Sequence, residues 1–181
     1  MSYSHLSSEL SRRKFLQLSA GSAATLSVLS LSASLSGCSS EPASTDFLIL
    51  RPADLTCLSA ILPVLYQGSG AQPANKNSLK QTLQALDNNL ANFSPAMRNM
   101  TLELFDVLNS PLTRGPLTGI WRDWEHASVT HIQDFLKRWE NSWFNLLKMG
   151  HNALLQLAML AHYGQPSSWQ HCGYPGPPLL H

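Results

Sequence analysis

From about residue 50 onward the apolar residues recur at helical spacing, and no window of strand length alternates with period two. Arg51-Pro52-Ala53-Asp54 opens the first run, with a proline at a first helical position and an acid in the first turn. Leu55, Leu58, Ile61, Leu62 and Leu65 then form one stripe, whose end Pro63 is expected to kink or tighten. Residues 68–73 are a loop whose glycines lack the lysine and spacing of a phosphate cradle. Leu79, Leu83, Leu86 and Leu90 predict a second helix over about 78–92. Ser94-Pro95 caps a third, carrying Met97, Met100, Leu104, Phe105 and Leu108 and ended by Asn109-Ser110-Pro111.

Residues 113–119 break the pattern, and a brief turn holds Trp121 and Trp124. Ser128 or Thr130 then caps one long helix through Ile132, Phe135, Leu136, Trp139, Trp143, Leu146 and Leu147. It continues or kinks near Gly150 into Ala153, Leu154, Leu157, Ala158 and Ala161, until Gly164-Gln165-Pro166 stops it. The expected fold is all-α, a single small bundle of four to five helices over 47–164. The tail, 165–181, is rich in Pro, Gly and aromatic residues, and prolines with fixed φ make it extended and preorganised. Such a strip can lie over its own bundle or dock into a groove on another protein.

The N-terminal part follows a different pattern. Arg12, Arg13 and Lys14 precede a charge-free stretch, 15–40, which is the layout of a signal peptide. Its many serines make it poor for a permanent membrane span. Ser11-Arg12-Arg13-Lys14-Phe15-Leu16 resembles the core of a twin-arginine export signal, with Arg12, Arg13, Phe15 and Leu16 at the matching positions. Leu35-Ser36-Gly37-Cys38 resembles a bacterial lipoprotein box, so that residues 1–37 would be removed and a lipidated Cys38 would anchor the chain through a polar tether, 38–46. Cleavage by the ordinary signal peptidase to a soluble periplasmic product is the alternative. Removing 1–37 leaves 144 of the 181 residues, enough for one core. That remainder holds nine Lys and Arg against ten Asp and Glu, which argues against nucleic acid as a partner. Beyond Cys38 only Cys57 and Cys172 remain, and in an oxidising compartment they could pair or stay as thiols.

Recognisable catalytic chemistry is sparse. The chain has no G-x-S-x-G elbow, no H-E-x-x-H, no C-x-x-C, no C-x-x-C-H haem attachment and no dinucleotide fingerprint. His126 and His131, five apart, fall on different helix faces, and His162, His171 and Cys172 lack a zinc spacing. No catalytic, cofactor-binding or metal-ligating residue is therefore assigned. The tryptophans carry more promise, either as core or as a partner surface.

Phe47-Leu48 with Arg51-Pro52-Ala53-Asp54, Leu62-Pro63, Leu86-Asp87, Leu104-Phe105-Asp106-Val107-Leu108, Phe135-Leu136-x-x-Trp139-x-x-Ser142 and Gly173-Tyr174-Pro175-Gly176-Pro177-Pro178, in that order, resemble the gluconate 2-dehydrogenase subunit 3 type family. These are small subunits of membrane-associated flavin dehydrogenases. The resemblance implies a non-catalytic subunit that escorts, exports and stabilises a large FAD-carrying oxidoreductase of the glucose-methanol-choline (GMC) type in the periplasm. No cofactor is expected in this chain. The twin-arginine translocase moves folded proteins, which suits a partner that acquires FAD in the cytoplasm and often lacks a signal of its own. Onward electron transfer would need a separate cytochrome or other acceptor. Partner contacts are expected at Trp139, Trp143, Trp169, Tyr174, Pro175, Pro177 and Pro178. A free-standing helical lipoprotein binding an apolar ligand or an envelope partner is the competing reading.

Overall fold

A computed structural model describes residues 41–69, 75–169 and 173–176. The export-signal residues Arg12, Arg13, Phe15 and Leu16, the lipobox Cys38, and the tail residues Cys172, Pro177 and Pro178 lie outside the described residues. Within them every regular element is helical: α1 Pro52–Leu65, α2 Lys76–Ala91, α3 Pro95–Asn109, α4 Pro111–Thr118, a 3-10 turn Trp124–His126, α5 Val129–Glu140, α6 Asn145–Tyr163 and the single turn α7 Pro166–Trp169. The fold is an all-α bundle.

Helix α1 is central and packs against α2, α3, α5, α6 and the 3-10 turn. Its sequence explains that place, because a helix with apolar residues around most of its circumference must be covered on most sides. Cys57, Leu58, Ile61 and Leu62 are buried in it, joined by Leu86 and Leu90 of α2, Phe105 and Leu108 of α3, Ile132 and Phe135 of α5, and Leu154 and Ala158 of α6.

Short polar side chains start the surrounding helices. Asn75, Ser94 and Ser128 each accept the backbone N–H three residues on, from Ser78 (2.9 Å), Met97 (3.3 Å) and His131 (3.2 Å). Ser128, not Thr130, is the cap of α5.

Three expectations change, one of them in the tail, where Pro166–Trp169 form a helical turn and not extended chain. Residues 113–119, where the sequence predicts a break, mostly form α4. Pro111 sits at its first position, and Pro116 deprives only the first-turn carbonyl of Leu112 of a helical partner. Thr118 Oγ1 donates to Arg114 O (2.6 Å), and Gly119, with φ 75°, closes the helix by donating to Gly115 O (2.8 Å). The expected single long helix from residue 128 is two. Asn141 Nδ2 donates to Lys137 O (2.9 Å) and Ser142 Oγ accepts from Phe144 N–H (3.1 Å), giving the backbone a way out of the helix. At Gly150, by contrast, α6 runs straight through.

Ahead of α1 the chain folds as a strap. Ser44 N–H donates to Leu50 O (2.8 Å), and the amides of Leu48, Ile49 and Leu50 all donate to the buried carboxylate of Asp87 on α2, at 2.6, 2.9 and 2.8 Å. The next residue begins a second polar knot. Arg51 Nε and Nη2 donate to Asp54 (2.8 and 3.0 Å), Arg51 Nη1 lies 2.7 Å from Asp106, and Asn109 Nδ2 donates to Asp54 (2.9 Å). Hydrogen bonding to Asp54 and the charges of Asp54 and Asp106 push the Arg51 pKa upward against the effect of its own burial. The knot ties the start of α1 to the end of α3, a structural use of charge in which each member is hydrogen-bonded.

Candidate partner interface

The tryptophans divide sharply. Trp139 on α5, expected at a partner surface, is 2 % exposed and belongs to the core. Its indole N–H donates to Leu117 O (2.9 Å), it meets Phe135 edge-on with centroids 4.9 Å apart, and its six-membered ring occupies the space a β-carbon would need at Gly150. It cannot reach a partner without unfolding the α5–α6 contact. Trp124 is likewise buried and donates to Leu108 O (3.0 Å).

Trp143 is the opposite case. The break after Asn141 swings it to the surface, where it is 84 % exposed and paired with Phe144 at a centroid distance of 4.3 Å. From this corner an apolar strip runs along α6. Leu146, Met149, Leu160 and Tyr163 are at least half exposed or nearly so, and their spacing places them on one flank of the helix, beside the buried line of Leu154, Leu157, Ala158 and Ala161. With Trp143 and Phe144 they leave six large apolar side chains exposed, in two groups separated along the helix by the exposed polar Asn152 and Gln156.

The electrostatics of this face are simple. No Asp or Glu occurs after Glu140, and Lys148 is the only Lys or Arg there. A surface so poor in charge is inexpensive to desolvate.

The tail borders the far end of the strip. Trp169 Nε1 donates to Tyr163 O (3.0 Å), Tyr174 N–H donates to Trp169 O (3.0 Å), and the two rings meet edge to face at 5.5 Å. Gly176, at φ 100°, passes under the Trp169 ring, where a β-carbon would stand 3.2 Å from Cζ3. Over 173–176 the tail therefore folds back on Trp169, with Tyr174 and Pro175 exposed at the surface.

Cys57, one of the two cysteines that could pair, is a free thiol completely buried in α1. Among the described residues no group of three or more His, Cys, Asp or Glu is placed to hold a metal, and no helix is long and apolar enough to cross a membrane.

Of the expected contact residues, Trp143, Trp169, Tyr174 and Pro175 fall at or beside the strip, while Trp139 does not. Phe144, Leu146, Met149, Leu160 and Tyr163 were not singled out as surface contacts by sequence reasoning. The available signal was the composition of 145–163, which has apolar residues on every side and so demands more cover than a small bundle supplies. No family model, no curated protein and no solved structure matches this chain.

Proposed function

We propose that this chain is the non-catalytic small subunit of an exported FAD-dependent oxidoreductase of the GMC type, which it escorts through the twin-arginine route and holds at the periplasmic face of the membrane. The observation that carries the reading is the uncovered apolar strip from Trp143 along α6 to Tyr163. Exposed large apolar side chains on a flank with so little charge support cover by another protein. The order of motifs from Phe47 to Pro178 resembles the small subunits of such enzymes and supports this class of partner, and the paired Arg12 and Arg13 resemble the signal for a route that would carry it folded. A lipidated Cys38 would tether the complex, and electrons would leave through a cytochrome or other acceptor outside this chain.

The competing reading, a lipoprotein enclosing an apolar ligand, calls for a closed cavity. The groove between α1 and the start of α5, about 520 Å³ and lined by Leu55, Ala60, Val64, Val129 and Ile132 with Ser59 and Glu125, is open to solvent.

The test is affinity purification of the full-length protein from its own envelope fraction, with an absorbance spectrum of whatever accompanies it. The expected result is a much larger protein with flavin absorbance, lost when Trp143 and Leu146 are both replaced by Ala. A colourless chain recovered alone overturns the reading.

A further inference from the structure

The turn after α4 carries a second surface, independent of the α6 strip. Trp121 folds back over Gly115. A β-carbon there would lie 2.6, 2.8 and 2.9 Å from Cε3, Cζ3 and Cδ2 of the indole, so one face of the ring rests on bare backbone. Yet Trp121 remains 76 % exposed. The chain has thus made a platform, supported from below and open above. Beside it, Arg122, Asp123 and His126 complete a shallow concavity of about 270 Å³. Asp123 is held in place, since its Oδ1 accepts from Nη2 of the buried Arg114 (3.1 Å), while most of its carboxylate stays in solvent.

The mixture of groups selects the ligand. A cation would suit the indole face and Asp123 but meets the guanidinium of Arg122 in the lining and that of Arg114 behind Asp123. An anion would meet the Asp123 carboxylate. A planar base would also stack on the one open face of the indole, and is the alternative that the test separates. A neutral ring with an apolar C–H face and a rim of hydroxyls uses every group present, since hydroxyls both donate and accept. We propose that this concavity binds a pyranose, free or as a unit of an envelope glycan, with its C–H face on Trp121. Its hydroxyls donate to Asp123 and accept from Arg122 and His126.

Saturation-transfer NMR on the full-length protein tests this with methyl glucosides, choline and adenosine as separate probes, and co-sedimentation with purified peptidoglycan separates a glycan from a free sugar. The expected result is saturation of ring C–H protons of the glucoside, or capture by peptidoglycan, with a dissociation constant for the monosaccharide of about 1–10 mM. Trp121→Ala, whose side chain is mostly exposed, keeps the wild-type helical circular dichroism and weakens binding at least about tenfold. Gly115→Ala removes no ligand-contacting group but lifts the indole, and weakens binding as well. Transfer to choline or adenosine alone, no capture of any sugar, or binding unchanged in Trp121→Ala overturns the proposal. Each result is read without the flavoprotein, so its failure leaves the escort reading standing.

Discussion

At Gly150 a β-carbon would stand 2.5 Å from Cζ3 of Trp139, and two opposing effects meet at that atom. Alanine is favoured over glycine inside a helix by about 1 kcal/mol, whereas overpacking a filled core costs about 1–3 kcal/mol. The ring is locked by its bond to Leu117 O and cannot retreat cheaply, so overpacking wins. Gly150→Ala is expected to lower the melting temperature by several degrees, where the same change on an exposed helix would raise it. The buried thiol gives a prediction in pH. Burial, aided by the Asp54 charge and opposed by Arg114, pushes the Cys57 pKa well up, and burial does the same to Tyr66. In both, the fold favours the protonated form. Their contribution is complete below the unfolded pKa values, about 8.5–9 for Cys and 10 for Tyr, and is lost as pH rises beyond them. Thermal melts between about pH 7 and pH 10.5 should fall at the alkaline end, less steeply in Cys57→Ala. A thiol reagent should leave Cys57 untouched until the protein unfolds.

At the scale of the element, helix starts are the most legible feature. Pro52, Ser94 and Ser128 announce α1, α3 and α5 because capping is local chemistry between residues three apart. Ser94→Ala and Ser128→Ala should each cost about 1 kcal/mol in chemical denaturation. What lies beyond three or four residues is less legible. Trp139 and Trp143 fall on one helical stripe in the sequence, yet two short polar side chains at 141 and 142 put one in the core and the other in solvent. Gly115 and Pro116 look like breakers in isolation. Only the ring of Trp121, arriving from the following turn, shows why a glycine is wanted in α4. Whether an apolar helix face is core or interface depends on how many neighbours surround it, and no local pattern along 145–163 states that number.

For the molecule as a whole, the unequal covering of α1 and α6 is decisive. Among the described residues the elements enclose α1, and none covers the outer flank of α6. The isolated protein should therefore associate as its concentration rises. Replacing Trp143 and Leu146 together by Ser should suppress that association in light scattering while leaving the melting temperature within about 1–2 °C, since both side chains are mostly exposed. Sequence patterning reaches the fold class and the tail's aromatic character, and it reaches part of the face through Trp143. The rest of the face becomes visible only once the helices are counted around α1.

The three amides that converge on Asp87 also define a load path. A pull applied from the N-terminal side reaches α2 through this clasp before it can peel α1 from the bundle. All three bonds are charge-assisted, and such bonds are about twice as strong as neutral ones. When they yield, the strap pays out about 3.5 Å of length per residue as far as Arg51, where the knot with Asp54 and Asp106 takes up the strain. A pull from the N-terminal side thus meets two polar clusters in turn before it reaches the core.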